Sequence, residues 1–130
     1  MDMASEKGAK RVIPLNVGGA FHSGLMEPAR DGLAAAVESV KLVNSSIPIV
    51  ANCTAKPVSE SSDIKEELIT QISGCVNWRQ TIEFMIDEGV TDFYEIGPGR
   101  ALSGMVKKIN KEMNTYNISD LASIRELKNT

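Results

Sequence analysis

Histidine and tryptophan each occur once in this chain and cysteine twice, and aromatic residues make up only 5% of it. One histidine and two cysteines without C-x-x-C spacing cannot assemble the ligand set of a structural zinc site, so no metal is expected. Cys53 and Cys75 do not form a disulfide framework either, and reduced thiols in a cytoplasmic protein are the expectation. Basic residues are not in excess: 14 Lys and Arg stand against 17 Asp and Glu, a net charge of -3. That lacks the basic footprint of a nucleic-acid binder. No apolar run approaches the ~20 residues of a membrane span, and the first residues have no apolar export core. Internal repeats, low-complexity segments and the Gly-x-Ser-x-Gly nucleophile elbow are likewise missing.

What is present fits one domain with a core. The chain has 130 residues, 42% hydrophobic and 24% charged, ordinary values for a folded domain. Residues 1–11 read as a helix end stopped at Gly8, as in a chain cut from something longer. Arg11–Val17 then reads as a strand, with Pro14 favouring an edge. Leu25, Met26, Ala29, Leu33, Val37 and Val40 recur at offsets of three and four, which predicts a helix over 25–41 with Pro28 in its first turn. Ile47–Asn52 reads as a second strand and Thr54–Ser62 as a surface loop.

An approximate capping box at Asp63–Glu66 opens a helix with Ile64, Leu68 and Ile72 inward, ending at Ser73-Gly74. Another helix starts at Asn77, buries Trp78, Ile82, Met85 and Ile86, and stops at Gly89. Phe93–Ile96 is a strand, followed by a helix with Leu102, Met105, Val106 and Ile109 inward. Thr115–Ile118 is the last strand, and Ser119 caps a helix bearing Leu121, Ile124 and Leu127. Strands alternating with amphipathic helices predict an α/β fold with a mainly parallel sheet.

Two stretches could carry chemistry. Gly18-Gly19-Ala20-Phe21-His22-Ser23 joins a strand to a helix, and its glycines permit a sharp turn. Ser23 reads as the helix N-cap, which already accounts for its hydroxyl. His22 is the only side chain in the sequence suited to exchanging a proton near neutrality, although a capping histidine without chemistry would look the same. Gly97-Pro98-Gly99, between a strand and a helix, could present amides to an anion. It lacks the third glycine of a dinucleotide fingerprint, Leu102 standing in its place. Asp120 lies near the position of a ribose-binding acid. A tight turn without ligand explains those glycines equally well.

The residues also carry a resemblance. Ile13-Pro14-Leu15-Asn16-Val17, Gly19-Ala20-Phe21-His22-Ser23 and Met26-Glu27-Pro28 resemble the catalytic-histidine segment of bacterial malonyl-CoA:acyl carrier protein transacylases. Pro48-Ile49-Val50-Ala51-Asn52 is similar to the strand after it. Gln71 with Val76-Asn77-Trp78 is similar to the family's Gln-x-x-x-x-Val-x-Trp region, and Glu95-Ile96-Gly97-Pro98-Gly99 to its Glu-Val-Gly-Pro-Gly turn. These motifs stand in the family's order and span the chain from about Gly8 onward.

The resemblance implies an α/β fold in which 18–130 form the C-terminal part of an α/β-hydrolase-like large subdomain. Residues 1–17 would supply the last strand of a ferredoxin-like small subdomain. It implies transfer of malonyl from coenzyme A to the pantetheine thiol of acyl carrier protein in fatty acid biosynthesis, in ping-pong order through an acyl-serine. In that chemistry His22 is the general base, the backbone carbonyl of Gln71 orients it, and Phe21 is a substrate-binding residue that favours malonyl over methyl-branched units. No cofactor is implied, and the partners are malonyl-CoA and acyl carrier protein.

The family's Gly-His-Ser-x-Gly nucleophile, carboxylate-clamping arginine and oxyanion hole belong to an N-terminal portion that these residues do not include. That portion is a further expected partner, and the chain alone is expected to be inactive. The competing readings are a non-catalytic α/β interaction fragment and, behind it, a nucleotide-binding domain using the Gly97 turn.

Overall fold

The computed structural model describes residues 2–14 and 18–127. A short helix α1 (Asp2–Glu6) ends at Gly8, whose φ of +88° suits a residue without a side chain. Arg11–Pro14, expected in a strand, form none; a strand needs a ladder partner, and Pro14 offers no donor to one. The rest of that expected strand, 15–17, lies outside the described residues.

The helix expected over 25–41 is two elements. Gly24–Ala29 is a 3-10 turn containing Pro28, and α2 follows over Arg30–Ser39. A proline and two glycines weaken α-helical continuity through this stretch. Of the expected inward face only Val37 is buried, while Leu25 is 78% exposed.

β1 (Ile49–Val50) pairs antiparallel with β2 (Pro57–Val58), in register Ile49↔Val58 and Val50↔Pro57. The expected loop over Thr54–Ser62 therefore contains a strand. Its proline sits in a two-stranded ribbon, where a missing donor can face outward.

Helix α3 (Ser61–Thr70) begins before the expected capping box. Its cap comes from afar: the Ser61 amide donates to Asn44 Oδ1 at 2.9 Å. Ile72 lies beyond the helix, in the turn that follows.

The centre of the molecule is α4 (Trp78–Asp87), β3 (Asp92–Ile96), α5 (Ala101–Ile109) and β4 (Asn114–Ile118). β3 and β4 pair in parallel from Asp92↔Asn114 to Ile96↔Ile118. The parallel sheet expected of the whole chain is, among the described residues, this pair beside the separate β1–β2 ribbon. Ile82, Val106 and Met113 form the buried cluster, with Trp78, Met85, Ile86, Phe93 and Ile109 packed on it. The α4 face and its stop at Gly89 (φ +89°) are as expected. On α5, Ser103 and Val106 are buried, while Leu102 and Met105 stay 43% and 37% exposed.

On the sheet face away from this cluster, Tyr94 and Tyr116 stack with ring centroids 4.7 Å apart. The last helix, α6 (Leu121–Leu127), is capped by Asp120, not Ser119: the Ser123 amide donates to Asp120 Oδ1 at 2.8 Å. Leu121, expected inward, is 72% exposed.

Candidate active site

The segment after Gly18-Gly19 folds into a tight turn that places His22 at its apex, exposed, with φ of +59°. A non-glycine residue in the left-handed region costs of order 1 kcal/mol and persists where its surroundings hold it there. Two bonds do so. The His22 backbone N–H donates to the Ile72 carbonyl at 3.1 Å. Its ring Nδ1 lies 2.7 Å from the Gln71 carbonyl oxygen. Successive carbonyls of the turn after α3 thus grip one residue 49 positions away in sequence from Gln71.

The Gln71 contact fixes the chemistry of the ring. A carbonyl oxygen only accepts, so Nδ1 carries the proton in this bond. In the neutral imidazole, Nε2 is then left with its lone pair, the form able to take a proton from a second group. Ser23 takes no part in this: its hydroxyl donates to the Ala20 carbonyl at 2.6 Å and accepts from the Leu25 amide at 3.4 Å. It is the expected N-cap, here of the 3-10 turn. The Phe21 ring folds back over Gly19, where a side chain would meet Phe21 Cε2 at 2.7 Å, and it remains 66% exposed. His22 and Gln71 are therefore brought together, with Phe21 adjoining in the same turn.

Residues that the sequence reading did not single out hold the Gln71 turn. Asn52 Nδ2 donates to Gln71 Oε1 at 3.3 Å, and the Asn77 amide donates to the Asn52 carbonyl at 2.8 Å. Asn77 Nδ2 donates to the Cys53 carbonyl, and the Cys53 amide donates to Glu67 Oε1 at 3.1 Å. Gly74 lets the turn approach this strand exit: a β-carbon there would lie 2.6 Å from Cys53 Sγ. Burial first, then the Glu67 carboxylate, raises the Cys53 thiol above its ordinary range, which makes a reactive thiolate less available there.

The Gly97-Pro98-Gly99 turn is occupied from within. Glu95 accepts from the Leu102 and Ser103 amides at 3.1 and 2.8 Å, so its carboxylate fills the anion position at the start of α5. Asn117 Nδ2 bonds the same carboxylate at 3.0 Å. Asp120, weighed as a ribose ligand, is taken up in capping α6.

The solved structures that the chain resembles are acyltransferases of α/β fold. Over 98% of its length the chain superposes, with a TM-score of 0.89 and 35% identity, on an acyl-carrier-protein-S-malonyltransferase from Bartonella henselae, of which it covers 41%. Over 99% it superposes, with a TM-score of 0.88 and 36% identity, on a malonyl-transacylase solved with its type II PKS acyl-carrier protein, of which it covers 42%. It is 44% identical over 123 residues, 95% of its length, to the malonyl CoA-acyl carrier protein transacylase of Bacillus subtilis strain 168. No protein-family model matches the chain. The chain spans about two-fifths of the length of these relatives, and over that part it is similar to the malonyl CoA-acyl carrier protein transacylases.

Proposed function

We propose that these residues supply the general-base part of a malonyl transfer site, with His22 as the base and the Gln71 carbonyl as its orienting acceptor. The observation that carries this reading is the 2.7 Å contact from His22 Nδ1 to Gln71 O. It leaves Nε2 on an exposed residue free to receive a proton. A backbone carbonyl here does the orienting work that a carboxylate does in a Ser-His-Asp triad.

In the proposed reaction a serine hydroxyl attacks the thioester carbon of malonyl-CoA, while Nε2 of His22 takes the hydroxyl proton. The carbon–sulfur bond breaks, the malonyl group is left on the serine oxygen, and the proton passes to the departing thiolate. The pantetheine thiol of acyl carrier protein then gives its proton to His22 and attacks the ester. The serine oxygen recovers that proton as the malonyl thioester leaves. The serine comes from chain outside these 130 residues, which hold no Gly-x-Ser-x-Gly elbow. A division near Gly18, between the end of a small subdomain and a large one, belongs to the same reading.

The test joins these residues to the unmatched part of the Bacillus subtilis relative and measures malonyl transfer to acyl carrier protein. His22→Ala is expected to lower transfer by about 10²–10⁴-fold, the range of a positioned base. The 130 residues alone are expected to transfer nothing, because nucleophile and base act as a unit. Undiminished transfer by the His22→Ala form would favour the rival reading, a non-catalytic interaction fragment.

A further inference from the structure

Orientation of His22 depends on a carbonyl that is not locked inside a helix. Gln71 follows the last residue of α3, and its carbonyl points into a turn. We propose that Asn52 is a positioning residue for the His22 imidazole, acting through the side chain of Gln71. This rests on the reading of His22 as the base.

Asn52 is suited to the task because it is itself fixed. It leaves β1 beside the buried Ala51, and its carbonyl accepts from the Asn77 amide at 2.8 Å. The next carbonyl, that of Cys53, accepts from Asn77 Nδ2. The next amide, also that of Cys53, donates to Glu67 Oε1 at 3.1 Å, one helical turn before Gln71. The strand exit is thus tied to both α3 and the start of α4. From this anchored point Asn52 Nδ2 reaches Gln71 Oε1 at 3.3 Å in a half-buried contact.

The Gln71 amide nitrogen is held by Glu67 O at 2.9 Å. That bond fixes the peptide before the Gln71 α-carbon and the Asn52 amide holds the side chain upon it, so together they restrict the rotation about Cα–C that aims the carbonyl His22 meets. Without the Asn52 contact the Gln71 side chain is free to turn to water, and the carbonyl loses a lateral restraint. The contact is a single neutral hydrogen bond at long range, so its effect is modest. The tautomer ratio at His22 should change by about three- to tenfold, the span of one such bond.

His22 is the only histidine, so its ring nitrogens can be read without ambiguity in the ¹⁵N-labelled 130-residue chain by long-range ¹H–¹⁵N correlation. The spectra are recorded at about pH 8.5, well above the ordinary histidine range. The native chain is expected to show the Nδ1–H tautomer in excess. Asn52→Leu, which keeps the bulk and removes the donor, should lower that excess. Gln71→Ala, which keeps the carbonyl and removes the same contact from the other side, should lower it equally.

The double variant should go no further than either single change, the signature of one shared contact. Retention of the His22 amide resonance shows that the bond to Ile72 and the local fold persist. Should Asn52→Leu fail to fold, Gln71→Ala tests the same contact alone. An unchanged ratio in folded Gln71→Ala, or additive shifts in the double variant, would overturn the proposal. Because the readout is the ring itself, it stands or falls independently of whether malonyl transfer is the activity.

Discussion

The α4–β3–α5–β4 unit and the His22 turn are held by different forces. In the first, Ile82 at 1% exposure and Val106 at 3% are packed with six further apolar side chains. Position there is a matter of packing, and many contacts share the load. In the second, the neighbours Phe21 and Leu25 are exposed, and His22 is placed by two hydrogen bonds to consecutive carbonyls. A packed unit resists perturbation at any one point. A polar turn aims one ring with few parts, and each part matters to where the ring points.

That contrast can be broken at either end. The largest expected effect is on the packed side: Ile82→Ala should lower unfolding free energy by about 2–5 kcal/mol, read from the urea midpoint. A cost below about 1 kcal/mol would mean that the cluster does not dominate the fold.

On the turn side, Phe21→Ser should leave stability within about 0.5 kcal/mol, because the ring is largely in solvent. In the joined polypeptide it should nevertheless relax preference for malonyl over methyl-branched thioesters by about tenfold, the worth of one methylene in a crowded site. Unchanged selectivity would remove Phe21 from the substrate site.

The smallest effect is confined to acid. The backbone amide of Ser103, aided by its side chain, the Leu102 amide and Asn117, holds the Glu95 carboxyl below its ordinary value of 4.5. A carboxyl depressed in the folded state contributes stability above its unfolded value, and that contribution is lost as pH falls through the folded one. Glu95→Gln should therefore flatten the decline of Tm below about pH 4.5. Some slope should remain, because Asp92 and Asp120 are held low as well, by Thr91 and Ser123 respectively. An unaltered profile would show that the carboxylate does not secure the start of α5.

The packed unit was also the more legible in sequence. Trp78, Ile82, Met85 and Ile86 recur at helical spacing, and Gly89 marks the stop, so periodicity alone recovers α4. Around the site the physics is less local. Pro28 and its flanking glycines divided an element that apolar spacing alone made continuous. The Pro57–Val58 strand was hidden among loop-forming residues because its pairing with Ile49–Val50 is a tertiary fact. His22 stood out as the only histidine, but resemblance alone brought Gln71 to attention, since nothing in a separation of 49 residues signals contact. Asn52, Asn77 and Glu67 were not weighed as site residues because their partners lie on other elements and polar side chains leave no period. Asp120 was weighed as a ligand group and Glu95 passed over, and they cap α6 and α5 respectively, Glu95 from the preceding strand.

The most direct test compares two substitutions at Gln71 in the joined polypeptide. Alanine keeps the carbonyl that meets His22, whereas proline removes the amide bond to Glu67 O and forces Thr70 out of helical conformation, displacing that carbonyl. The account predicts a loss of malonyl transfer of about tenfold or less for Gln71→Ala, and of about 10²-fold or more for Gln71→Pro in a chain that still folds. Equal losses would contradict orientation of the base by the Gln71 carbonyl.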